Sequence, residues 1–196
     1  MPFTASSLYS IDTQIAFRGG LALDGEYATS IVSTSGSYTG PTLVTGSGGR
    51  LSLRQSAGPW NAGATIERYS PSFTSLTGSA SADLYRTDAY LGYAFGQEVR
   101  VDLSLQNNHN NVSRQLLTTF KSMNQRVGLT LRPFASSKDM ALQPLFFNVG
   151  FNTFDAVDPA TTNRLTRQWL ASSGYSFGPA AVTYSYQDQN LVDRLV

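Results

Sequence analysis

The chain contains no cysteine, which removes disulfides and thiolate metal sites from its chemistry. It contains one histidine, His109, too little for a zinc site or for imidazole-based catalysis. Charge is scarce: Asp, Glu, Lys and Arg make up 14% of the residues, against about a quarter in an ordinary soluble domain. The net charge of +1 leaves no electrostatic footprint for nucleic acid, so no nucleic-acid partner is expected. No apolar run approaches the roughly 20 residues of a spanning helix. The opening MPFTASSLYSIDTQ has neither the basic start nor the apolar core of a signal peptide. Helical spacing is nearly missing too: only LLTTFKSM, 116–123, would make a turn or two, and it alternates equally well.

What the sequence does have is alternation. In LGYAFGQEVRVDLSLQ (91–106), Val99, Val101, Leu103 and Leu105 interleave with Arg100, Asp102, Ser104 and Gln106, the period-two signature of a strand with one apolar and one polar face. The same pattern recurs at Gln14–Arg18, Arg50–Arg54, Arg126–Arg132, Leu145–Asn152 and Val182–Gln187. Hairpin compositions stand at Gly19-Gly20, Gly58-Pro59, Gly96-Gln97, Ser136–Asp139 and Gly178-Pro179. These short turns recur about every 40 residues. Longer polar connections lie between them, at 33–48, 70–83, 107–113 and 155–163. Five short turns, each flanked by two strands, predict about ten antiparallel strands in one domain over 1–196. A propeller blade has a similar period but would pack four short strands into it. The alternating segments here run about 8 to 12 residues, near the 9–11 of a tilted membrane-spanning strand, and no blade signature repeats.

Each short turn has a large aromatic within three residues: Phe17, Trp60, Phe95, Phe134 and Phe177. Aromatics at one height on every hairpin suit a membrane interface, where amphipathic rings settle at the headgroups. A looser set lies toward the long connections: Tyr9, Tyr27, Tyr69, Phe151, Trp169 and Tyr186. The plainer reading is that aromatics are strand formers wherever they fall.

Alternating segments, short turns at one end, long polar loops at the other and two aromatic girdles resemble the outer-membrane β-barrels of Gram-negative bacteria, over nearly the whole chain. The resemblance implies an all-β, antiparallel up-and-down transmembrane barrel, porin-like, in the outer membrane, with the lipid bilayer as partner. A narrower likeness is carried by YSPSFTSLTG and YRTDAYLGYAF, through Phe73, Gly78, Arg86 and Asp88. It is to the barrel part of large outer-membrane proteins that carry a carbohydrate-binding family 9-like domain ahead of the barrel. The gap between Gly78 and Arg86 is longer than that pattern has. With every odd strand running toward a short turn, both chain ends fall on the long-loop side. That placement leads us to expect a segment of a larger barrel, whose remainder would be a further partner, although ten strands suffice for closure.

If the apolar face meets lipid, the alternate residues line a lumen. Arg18, Arg54, Arg100 and Arg132, each close to a short turn, would then share one height, with Glu67, Asp102 and Arg126 also lining the pore. One reading is a basic collar favouring small polar or anionic solutes. The other, which the sequence favours, pairs these arginines with Asp24, Glu67, Glu98 and Asp102 on neighbouring strands. Catalytic signals are poor. His109 is expected in a solvated loop with no carboxylate beside it, and Asp155 and Asp158 lack calcium-loop spacing. GSGGR (46–50) opens no helix, so it is no phosphate cradle. Neither metal nor cofactor is expected, and a pore or membrane scaffold is expected rather than an enzyme. The competing class is a soluble all-β module, propeller or fibre-like, that binds glycans through Tyr and Trp.

Overall fold

The computed structural model of the chain describes residues 3–35, 42–74, 83–114, 119–139, 141–158, 162–177 and 180–194. They form ten strands: β1 (Phe3–Ala16), β2 (Leu21–Ser35), β3 (Thr42–Ala57), β4 (Trp60–Tyr69), β5 (Leu84–Phe95), β6 (Val99–Asn110), β7 (Lys121–Leu131), β8 (Phe146–Asp158), β9 (Thr162–Phe177) and β10 (Ala180–Asp193). All belong to one antiparallel sheet in which each strand pairs with its neighbours in sequence. A propeller is thereby excluded, since its blades are separate sheets.

The tight turns form where glycine permits a left-handed backbone. Gly20 has φ 76 and Gly96 has φ 66. A Cβ on Gly20 would lie 2.1 Å from the carbonyl oxygen of Ser56, the neighbouring strand whose Ser56 N–H donates to Gly20 O at 3.1 Å. The Gly178-Pro179 turn lies outside the described residues.

Three expectations need correction. The sheet is not closed into a barrel: β1 and β10 are its two edges, and no strand contact joins them. Neighbouring strands are tied by hairpins that set their register, whereas a closing ladder has no turn to specify it. Second, the strands run 10 to 16 residues, longer than the alternation suggested. Polar stretches that read as loops continue the ladders, as where Ser33 pairs with Leu43 and Thr34 with Thr42. His109, Asp155 and Asp158 accordingly lie in β6 and β8, not in loops. Third, the β7–β8 connection is no tight hairpin. Residues 132–139 and 141–145 form turns, closed by Ala135 N–H to Arg132 O, Ser137 N–H to Phe134 O and Leu142 N–H to Asp139 O at 3.0, 3.0 and 3.1 Å. Asp139 also accepts from Ala141 N–H at 2.9 Å, an Asx turn that competes with strand pairing. Of the helical alternative at 116–123, residues 115–118 are outside the described set and 121 onward is strand.

The register sorts every strand into two faces. Val99, Val101, Leu103 and Leu105 share one face with Tyr93, Leu91, Leu129 and Val127, while Arg100, Asp102 and Ser104 share the other with Tyr90, Arg126 and Thr130. The apolar face is as exposed as the charged side chains of the polar one. On the apolar face Leu51, Leu53, Leu103, Val127 and Val149 are 41% to 52% exposed. Buried Ala28, Ser30, Ser52, Ser122 and Ala156 all lie on the polar face. Among the described residues the buried hydrophobic set is Ala28, Phe73 and Ala156. The accessible surface is 13274 Å², where a compact soluble chain of this mass exposes roughly 9,000 Å². The excess is that of an open sheet with neither face covered.

Candidate functional site

The polar face is the inner side of a curled sheet. Asn61 on β4 and Ser185 on β10 line one cavity of about 740 Å³, together with residues from every strand between them. Strands lie about 4.8 Å apart, so a flat sheet would hold β4 and β10 nearly 30 Å apart. A second hollow joins β1 (Asp12, Gln14) to Thr65 of β4 and Tyr90 of β5, and Tyr90 borders both.

The expected lining residues Arg54, Glu67, Arg100, Asp102 and Arg126 do lie on this face, but most of the arginine charge is cancelled there. Arg54 Nη2 meets Asp24 Oδ2 at 2.5 Å, with Nε on the same oxygen at 3.1 Å. Arg100 grips Asp102 through Nε and Nη2 at 2.9 and 2.8 Å. Glu67 is taken by Arg50 at 3.3 Å, directly opposite in register, and Arg86 by Asp88 at 2.7 Å. Glu98 pairs with no arginine among the described residues. It accepts from Ser136 Oγ and from Gln97 N–H, holding the β7–β8 connection to the β5–β6 turn, and these hydrogen bonds keep its carboxyl below the usual value. Arg18 and Arg132 fall in connections, beyond the ends of β1 and β7. Arg126 is different: it lies within β7, lines the larger cavity and has no ion-pair partner among the described residues.

Glycines shape the floor. Gly48, Gly63 and Gly174 each face a cross-strand aromatic, Tyr69, Tyr90 and Phe146, whose ring lies where a Cβ would be, 2.2 to 2.8 Å away. Gly92 is overlain by the Arg100–Asp102 pair, with Asp102 Oδ1 2.8 Å from the Cβ position. Gly128 and Gly150 pair with each other, and nothing approaches either Cβ position closer than 3.7 Å. The nearest atoms there, from Asp102, Val127 and Leu170, stand at ordinary van der Waals distance, so the floor is uncrowded.

At the end where β4 leads into β5, residues 70–74 fold back over the polar face. Ser47 N–H donates to Ser70 Oγ at 2.8 Å and Thr74 N–H to Ser30 Oγ at 3.0 Å. Phe73 is buried there, its ring 5.1 Å from that of Tyr69. Gly46 makes the approach possible: a Cβ would sit 2.3 Å from the backbone of Ser72 and Phe73. Asp83 then clasps the next connection. Its carboxylate accepts from Ser113 Oγ at 2.6 Å and Ser113 N–H at 3.1 Å, with Arg68 Nη1 at 3.4 Å. Burial pushes the Asp83 carboxyl up, but the Ser113 hydrogen bonds and the Arg68 charge outweigh it and hold the group below its ordinary value. Nothing local in the sequence announces this clasp, because Asp83 and Ser113 are 30 residues apart.

Of the expected interface aromatics, Trp60 opens β4, Phe95 closes β5 and Phe177 closes β9, while Phe17 and Phe134 lie in the β1–β2 and β7–β8 connections. All five therefore sit at the same end of the meander. Phe17, Trp60, Phe95 and Phe134 are 50%, 48%, 57% and 37% exposed. Trp60 and Tyr93 stack edge to face at 4.2 Å, as do Tyr93 and Phe95 at 4.4 Å. In the second set Tyr9, Tyr27, Phe151, Trp169 and Tyr186 share the apolar face, and Phe151 meets Trp169 at 4.5 Å. Tyr69 belongs to the polar face instead. Arg86 and Asp88 of the narrower motif form an ion pair, Phe73 is buried, and Gly78 lies outside the described residues.

No protein-family model matches the chain, and no curated protein matches it in sequence.

Proposed function

We propose that the chain forms the wall of an outer-membrane β-barrel of a Gram-negative bacterium, a pore or membrane scaffold and not an enzyme, with the bilayer covering its apolar face. The carrying observation is the inversion of faces: the polar side encloses a hollow while the aliphatic side is bare. Water would penalise that face by about 25 cal/mol for each Å², and hydrocarbon removes the penalty. The apolar stretch has the right extent. Val99 to Leu105 rises roughly 20 Å along β6, on the scale of the ~25 Å apolar band of such barrels. On β7, β8 and β9 it stops at one row: beyond Val127, Phe151 and Trp169 the same face turns to Gln125, Thr153 and Arg167, while β6 carries it one position further, to Leu105. In this reading the short-turn aromatics mark one interface and Phe151–Trp169 the other.

The test compares the purified chain in plain buffer and in mild detergent, by far-UV circular dichroism and by gel mobility with and without boiling. A β-rich spectrum only in detergent, with mobility that changes on boiling, is the expected result. A folded, monodisperse, β-rich chain in plain buffer would overturn the proposal.

A further inference from the structure

The glycine pair of the floor and the arginine without an ion-pair partner among the described residues occur at the same place. Gly128 and Gly150 pair on the polar face. Arg126 stands one same-face position from Gly128, and Ser104, Thr130 and Asn148 line the same 740 Å³ hollow. A glycine inside a strand lowers the surface by a side chain and lets a ligand approach the backbone closely.

We infer that this hollow is a binding subsite for a small sugar acid. The carboxylate would lie on the Arg126 guanidinium, and the hydroxyls would exchange hydrogen bonds with Ser104, Thr130 and Asn148, which line the hollow. Arginine suits a carboxylate because its planar fork donates two parallel hydrogen bonds. The neighbouring Arg100 does not compete, being held by Asp102. The volume lies within the range of small-molecule pockets. The inference rests on the lumen reading, since it needs the polar face to enclose solvent.

The test uses the full chain folded in detergent, at low salt, with glucuronate and glucose titrated calorimetrically, and with conductance measured separately in planar bilayers. Wild type should bind glucuronate at least tenfold more tightly than glucose. Arg126→Gln should abolish that preference and Arg126→Lys should keep part of it. Circular dichroism and the boiling shift establish that each variant is folded. Equal affinity for the two sugars, no binding of either, or an undiminished preference in Arg126→Gln would overturn the subsite. Any of these with intact detergent-dependent folding and conductance refutes the subsite alone; folding in plain buffer refutes the lumen reading beneath it.

Discussion

Asp83 occupies the left-handed backbone region at φ 52, and Asn111 and Arg114 join it at φ 50 and 59. Asp and Asn tolerate that region better than most side chains, whereas for Arg114 it carries strain. The Asp83 carboxylate ties two of these connections together through Ser113 and Arg68. Replacing Asp83 with Asn removes the charge that Ser113 and Arg68 answer, at an expected cost of about 2 kcal/mol, read as a lower urea midpoint in detergent. The pH dependence has a definite sign. The carboxyl is held below its ordinary 3.8 in the folded state, so its contribution is complete above that value and is lost as the pH falls through the lower folded value. Asp83→Asn should flatten stability in that acid window and leave it parallel to wild type near neutrality. Gly46 makes a steric prediction. With Ser72 and Phe73 backbone 2.3 Å from the Cβ position, Gly46→Ala must displace residues 70–74 and free Phe73, seen as faster proteolytic cleavage in the β4–β5 connection.

The strand is the scale at which the sequence was most legible, because period two is a local property. The register puts Val99, Val101, Leu103 and Leu105 on one face and Arg100, Asp102 and Ser104 on the other, as the alternation alone required. What escaped was whatever depends on distant partners: Tyr69 turning inward over Gly48, Glu67 pairing with Arg50, Asp83 reaching Ser113. Ser-rich strand ends escaped for another reason, since Ser and Thr serve loops and extended ladders equally well. The absence of cysteine offers a direct test of the faces. Single cysteines at residues 103 to 106, in protein reconstituted into vesicles, should react with a membrane-impermeant maleimide at Ser104 and Gln106 and resist it at Leu103 and Leu105. Uniform reactivity along β6 would mean that no lipid covers the apolar face.

For the whole molecule the open seam decides what else must be true. β1 and β10 are each 14 residues long, and neither contains the Lys or Pro with which soluble proteins defend a sheet edge. Every residue of β10 is exposed. An edge in hydrocarbon leaves unpaired N–H and C=O groups at several kcal/mol apiece, a cost no single side-chain contact offsets, so a sheet placed in a bilayer must pair its edges. The polar face already curls enough for β4 and β10 to share a cavity, and continuing the curl brings β10 toward β1 with the polar residues inside. The closing register is not fixed by any hairpin, so it is sought by pairing a cysteine at Ser10 of β1 in turn with one at Ser185, Gln187 or Gln189 of β10, all on the polar face. Mild oxidation in detergent should lock one of these pairs within the monomer and make its mobility resistant to boiling until reductant is added. Cross-links found only at twice the monomer mass would mean that two copies pair their edges into a larger ring, and a chain that forms neither would leave both seams unpaired, which a bilayer does not permit.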